Sequence, residues 1–413
     1  MSRSAAPEPA APAAEEWLAA HRAELLELVR ELVSVPSENR PPSGEEGPCQ
    51  ERVAGYLTSL GLTVDRFVPD EVEGATAHPA WWPGRNYIGR PNVVARMPGR
   101  GAGRSLLFSG HVDVVPALGD GAHGYWDGEV EDGRLYGRGS LDMKGGVACY
   151  LHALRCLVES GVELEGDMLV ETVVDEEFGG ANGTLACRLR GYNADGAVLP
   201  EPTGLVPCHA TRGGIQYRLH ARGAKSGMDF GAGAPPSALH TLARVAVALA
   251  DAEPGRGAPV YQYLMHAGDE LPWGTGEGTP ASGVLEFWAE ILPGTSREAL
   301  EAELRTIVEP AAADGVPLGW EQRTRFLPAL DQDPQTAIVA AMRAALGDPT
   351  AAPQVAPFAC DAFMFAEGSP TPVVVCGPGG DNPHAPDEYV LVDDLHGLSA
   401  AYVRLALDWC GAP

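Results

Sequence analysis

The chain has 413 residues, and with single domains running to roughly 100–200 residues it is expected to form two. Its 45% hydrophobic and 21% charged content is that of a soluble globular protein and excludes a disordered one. A formal net charge of −27 argues against nucleic acid or an anionic membrane as partner, since both need a basic face. With no run of roughly 18 apolar residues, no membrane span is expected.

Met1 to Ala14 is rich in Ala, Pro and Glu and lacks a basic start followed by an apolar run. It reads as a disordered tail, not a signal peptide. The eight cysteines show no C-x-x-C pairs and read as reduced thiols of a cytoplasmic protein. Leu25, Val29, Leu32 and Val33 fall at helical spacing and predict a helix over 15–34, ended by Val35-Pro36-Ser37. Strands are expected at Leu62–Val68, Asn92–Met97, Ser105–Ser109, Asp167–Val174 and Ala194–Leu199, with a helix at 144–160. Strands alternating with helices imply an α/β sheet with several parallel strands.

The character changes after Pro200. Strands at Gln216–Ala221, Val284–Leu292 and Pro317–Arg325 alternate with a helix at 236–251 and another opened by a capping box, Thr295-Ser296-Arg297-Glu298. That order predicts a small α+β domain with helices on one sheet face. The Gly/Pro-rich stretch Glu253 to Ser282 exceeds the usual connection of about 4–6 residues and reads as a functional loop or an insertion. Asp333-Pro334 is then expected to cap a helix that returns the chain to the first domain.

Five segments carry histidines and acids that an ordinary fold does not need. Ser109-Gly110-His111-Val112-Asp113 leaves an apolar strand with His111 and Asp113 on the same face. Gly137-Arg138-Gly139-Ser140-Leu141-Asp142 precedes a helix, where an Asp can also serve simply as a cap. Val173-Val174-Asp175-Glu176-Glu177-Phe178 sends three successive acids out of an apolar strand, an arrangement that is costly unless it is solvated or holds cations. Leu199-Pro200-Glu201 places another acid at a strand end, and Gly377-Pro378-Gly379-Gly380-Asp381-Asn382-Pro383-His384 closes the set. Singly each is weak. Together they provide two imidazoles and three carboxylates beyond strand ends, where sites form in open α/β sheets. Imidazole and carboxylate suit zinc, with manganese or cobalt as substitutes.

In this order the segments resemble the co-catalytic zinc hydrolases that include aminoacylase, carboxypeptidase G, acetylornithine deacetylase and succinyl-diaminopimelate desuccinylase. The likeness runs from Val29–Ser37 to Tyr389. It implies two zinc ions: Asp142 as the bridging carboxylate, His111 and Glu201 completing one site, Glu177 and His384 the other. It implies Asp113 as the acid that orients His111. Glu176 would be the general base, passing a proton from the bridging water to the leaving nitrogen. It also implies a catalytic α/β domain with a mixed, mostly parallel sheet flanked by helices, at 15–206 and 327–413. An inserted α+β lid at 207–326 would pair two subunits into a homodimer. The expected reaction is hydrolysis of the amide bond of a small N-acyl amino acid or dipeptide-like substrate.

Two departures stand out. The family's lid carries a histidine that steadies the oxyanion; here Lys225 stands in the corresponding Ala221-Arg222-Gly223-Ala224-Lys225-Ser226. Three readings stay open: Lys225 replaces the histidine, His220 or His240 serves instead, or the chain is a non-hydrolytic or biosynthetic relative. The family's Asp-x-Arg before Pro-Gly is replaced by Trp288 and Glu290. Glu290 there favours a neutral or cationic substrate end, unless it points to solvent. Arg212, or the backbone amides of Gly377, Gly379 and Gly380, are then the expected partners for a substrate carboxylate. A catalytically silent binding protein is a further rival, opposed by the intact ligand set.

Overall fold

The computed structural model describes residues 10–223, 237–267, 282–312 and 315–412. Two compact units divide the chain: Met1–Ala210, Gln332–Ala356 and Cys360–Pro413 form the first, and Thr211–Asp331 with Pro357–Ala359 the second. The sequence reading puts the inserted unit at 207–326. Lys225 lies outside the described residues.

The first unit is built on an eight-stranded mixed sheet. Its strands lie in the order Gln354–Ala356, Cys208–Thr211, Val373–Val375, Gly196–Leu199, Leu106–His111, Met168–Val173, Asn92–Met97, Val64–Phe67. The four middle strands, Val373–Val375 to Met168–Val173, run parallel; Cys208–Thr211 on one side and Asn92–Met97 on the other pair with them antiparallel, as Val64–Phe67 does with Asn92–Met97. Leu106–His111 and Met168–Val173 are buried along their whole length, so neither alternates between core and solvent, and the polar Ser109, Glu171 and Thr172 are buried with their apolar neighbours. Helices Gly145–Glu159 and Val392–Cys410 pack together on the sheet, contributing Tyr150, Leu154, Leu398 and Tyr402 to the main core. A second, four-stranded sheet joins Gly380–Asp381, Tyr389–Leu391, Arg134–Tyr136 and Val130–Glu131. It ties the segment before Asp142 to the segment around His384.

The second unit is a four-stranded antiparallel sheet, ordered Val260–Ala267, Ser282–Ile291, Gly213–Arg222, Leu318–Gln322. Helices Ala238–Arg256 and Arg297–Ala311 share its core with Tyr217, Phe287 and Leu304.

Four expectations need correction. Residues 10–14 of the expected tail and the single helix expected at 15–34 give way to two helices, Ala10–Ala20 and Arg22–Val33, parted at His21, while residues 1–9 lie outside the described residues. Alanine is the best helix former, and the first helix buries Ala14 and Trp17 against the core. The long Gly/Pro-rich stretch opens with the last turn of a helix and then an edge strand, Val260–Ala267. Nearly all of that strand is exposed, so it lacks the alternation that marks a half-buried strand. Ser296, not Thr295, caps the helix Arg297–Ala311 by accepting the Ala299 N–H. Asp333 closes a turn onto the Gln335 N–H at 2.8 Å, ahead of the helix Ala337–Ala345.

Candidate metal centre

The middle strands deliver their functional residues at their carboxyl ends. His111 is the last residue of Leu106–His111, Glu176 and Glu177 follow Met168–Val173, Glu201 follows Gly196–Leu199, and the Gly377–His384 segment follows Val373–Val375. Asp142 comes from the turn at Ser140–Lys144, where the backbone leaves helical geometry.

These residues meet. One donor atom each from His111, Asp142 and Glu201 lie within 4.8 Å of one another, and the same holds for Asp142, Glu177 and His384. Asp142 is common to both groups through different oxygens: Oδ1 is 3.1 Å from His111 Nε2, and Oδ2 is 3.1 Å from His384 Nε2. Around them, Glu177 Oε2 is 3.3 Å from His384 Nε2, and Glu201 Oε1 is 3.8 Å from His111 Nε2. His111 is buried, whereas the His384 side chain is half exposed. A third group joins Glu176 and Glu201 to Asp361, an acid the sequence reading misses.

Electrostatics follow from this crowding. Burial, with Glu201 and Asp361 nearby, pushes the Glu176 carboxyl well above its usual range, although His111 opposes it. Burial raises Glu201 in the same way, with Asp142 adding to the effect. Asp142 goes the other way: burial favours its neutral form, but hydrogen bonds from His111 and His384 outweigh that and hold it below the ordinary range. Buried acids in such numbers ask for cations. Glu177 Oε1 is buried and has no hydrogen-bond partner. Oxygen and imidazole donors in two groups that share a carboxylate fit a pair of divalent ions.

The surrounding residues hold the donors in place. His111 Nδ1 lies 2.9 Å from the backbone carbonyl of Asp113, which orients the ring with Nε2 toward Asp142 and Glu201. The Asp113 Oδ1 also lies 3.7 Å from His111 Nδ1. The Asp113 carboxylate further accepts the N–H groups of Glu176 at 3.2 Å and Glu177 at 2.9 Å, and the Asn39 amide at 2.9 Å. Glu388 Oε1 accepts the N–H groups of Leu141 and Asp142, both at 3.1 Å, while its other oxygen pairs with buried Arg138. Asp142 therefore stands on a backbone that Glu388 anchors, and it is not a helix cap. Asp175 and Phe178, on either side of the two glutamates, have φ of 63° and 59°. That region costs a non-glycine residue about 1–2 kcal/mol.

The expected substrate contacts are otherwise engaged. Arg212 Nη1 donates to Glu290 Oε2 at 2.8 Å, and Glu290 is buried instead of facing solvent. The Gly377 N–H donates to Thr203 Oγ1 at 3.2 Å and the Gly379 N–H to Asp394 Oδ2 at 2.8 Å, while Gly380 pairs with Val390 in the small sheet. In this structure Arg212 and the Gly377 and Gly379 amides thus carry bonds within the protein. His220 bonds Glu321 at 2.6 Å within the second unit, and His240 is exposed on its helix.

A family model described as Peptidase family M20/M25/M40 matches residues 107–408. An N-formyl-4-amino-5-aminomethyl-2-methylpyrimidine deformylase of Bacillus subtilis is 27% identical, over 94% of this chain and 95% of its own. A succinyl-diaminopimelate desuccinylase of Methylobacterium radiotolerans is 32% identical, over 92% and 95%. Among solved structures, human carnosine dipeptidase 1 superposes with a TM-score of 0.75 at 15% identity, covering 97% of this chain and 99% of that one. A dinuclear metal-binding M20 peptidase of Bacillus subtilis does so at 0.64 and 16%, covering 96% and 100%.

Proposed function

The chain belongs to peptidase family M20/M25/M40, and from that membership we propose that it hydrolyses the amide bond of a small N-acyl amine or N-acyl amino acid on a dinuclear zinc centre. The observation that carries this reading is the division of Asp142 between two ligand groups, one oxygen to each histidine. His111, Asp142 and Glu201 would hold one ion, and Asp142, Glu177 and His384 the other. Cobalt or manganese would serve the same donors. When bound, such a pair polarises an acyl oxygen and lowers the pKa of water.

The protein's own groups do the rest. Glu176, whose Oε2 is 3.8 Å from His111 Nε2, is the carboxyl placed to take a proton and return it to the leaving nitrogen. The Asp113 carboxylate fixes the backbone of Glu176 and Glu177, and the Asp113 carbonyl fixes the tautomer of His111. The two relatives named above remove a formyl and a succinyl group from nitrogen, which supports deacylation over other amide chemistry.

We further propose that two copies pair through the edge strand Val260–Ala267 of the second unit. Tyr261, Tyr263, Leu264 and Met265 are each between 45% and 59% exposed there, and an uncovered apolar edge invites a second strand. A cytoplasmic setting fits the eight free, buried cysteines.

The test is Glu176→Gln in zinc-loaded protein, assayed on N-formyl, N-acetyl and N-succinyl amines and amino acids. Turnover should fall by about 10²–10⁴-fold with two metals per chain retained. Near-full activity in the variant, or no release from any substrate by the unmodified enzyme, contradicts the reading.

A further inference from the structure

The loop that carries Glu176 and Glu177 is held from outside by a segment that supplies no metal donor. Arg85 lies in the connection before the strand Asn92–Met97, and its side chain is only 6% exposed. Its Nη2 donates to the Phe178 carbonyl at 3.1 Å, and its Nε is 3.6 Å from Asp175 Oδ1. The guanidinium thus touches the residue before Glu176 and the residue after Glu177. Both flanking residues sit in left-handed backbone conformations, which persist only where their surroundings over-determine them.

Neighbours of Arg85 extend the same grip. Tyr87 donates its hydroxyl to Asp175 Oδ2 at 2.5 Å. The Trp82 N–H donates to Asn182 Oδ1 at 2.9 Å, and Asn182 Nδ2 returns a bond to the Trp82 carbonyl at 2.8 Å. Segment 82–87 is therefore laced to 175–182 at several points, with Arg85 on the two residues that flank the glutamates.

We propose that Arg85 is a positioning residue for the Glu176–Glu177 pair. It fixes the turn between Asp175 and Phe178, so that one glutamate faces the reacting centre while the next stays with His384. A planar guanidinium can hold a carboxylate and a carbonyl at once; a lysine ammonium cannot span both in the same way. The catalytic part of this inference rests on the hydrolytic reading of the site, but the structural part does not.

The experiment compares Arg85→Met and Arg85→Lys with the unmodified enzyme. In metal-free protein, hydrogen exchange at the Glu176 and Glu177 amides should be about tenfold or more faster in Arg85→Met, while strand Leu106–His111 keeps its protection. In metal-loaded protein, kcat should fall by about 10–100-fold with KM nearly unchanged, as expected for a misplaced base. Arg85→Lys should lie between, and it decides the matter if the Met variant does not fold. Unchanged exchange at the two amides overturns the proposal, as does a rise in KM at constant kcat. Loss of protection throughout the unit in Arg85→Lys also overturns it, since that marks a merely structural role. If the unmodified enzyme releases no acyl group, the hydrolytic reading fails, and the exchange result still decides the role of Arg85.

Discussion

Glu388 offers the sharpest test of how Asp142 is held. Its carboxylate is 1% exposed and faces an equally buried Arg138, while the same group accepts the N–H bonds of Leu141 and Asp142. In Glu388→Ala the Arg138 guanidinium loses its counter-charge, and its Nε and Nη2 already lack partners. Removing one member of a buried pair costs about 3–5 kcal/mol. Glu388→Gln keeps a carbonyl oxygen for the two N–H groups and should cost less, about 1.5–3 kcal/mol, the net value of a hydrogen bond to a charged group. With Asp142 as the proposed shared ligand on that anchored backbone, metal affinity should also drop, by about 10–100-fold in the Ala variant. Urea unfolding of the metal-free protein and a zinc titration against a chelator measure the two effects. If Glu388→Ala remains within about 1 kcal/mol of the unmodified protein and binds zinc as tightly, the anchoring argument is wrong.

The other expectations concern different parts of the molecule. Burial lowers the His152 ring to about 4, and it is held by Ser399 and the His21 carbonyl. The folded state therefore binds fewer protons than the unfolded one between pH 6.5 and about 4, so stability falls as pH drops through that window, by up to about 3 kcal/mol. His152→Asn should flatten that part of the curve, and an unaltered slope refutes the assignment. Phe287 is wholly buried beside Tyr217 and Trp320, and Phe287→Ala should destabilise the second unit by about 3–5 kcal/mol in calorimetry. A Cβ on Gly183 would lie 2.3 Å from the Val174 carbonyl oxygen, so Gly183→Ala should displace the acid-bearing loop and weaken metal binding. Sedimentation should give a dimer for the unmodified protein and a monomer for Tyr263→Lys; a monomer for both removes the edge-strand proposal.

The ligand segments are readable in the sequence because four of them leave apolar runs, and such runs become parallel strands whose carboxyl ends share one edge. His111, Glu177 and Glu201 all follow that rule. Asp361 does not: it precedes the short helix Phe363–Gly368, and no apolar strand leads into it, so only folding brings it to Glu176 and Glu201. Glu388 lies in a segment the sequence does single out, yet its partners Leu141 and Asp142 are 247 and 246 residues away. The Arg212–Glu290 pair depends on the register between Gly213–Arg222 and Ser282–Ile291, which residue types do not reveal. The helix Ala10–Ala20 is missed for a compositional reason. Alanine and proline are shared by disordered tails and helix starts, and the packing of Ala14 and Trp17 decides between them.

The proposed bridging role of Asp142 is tested most directly by anomalous diffraction at the zinc edge from zinc-loaded crystals. Two peaks roughly 3.5–4 Å apart should appear, one bonded by His111, Asp142 and Glu201 and the other by Asp142, Glu177 and His384. Peaks elsewhere, or zinc bound with Asp142 outside its coordination sphere, would contradict the account.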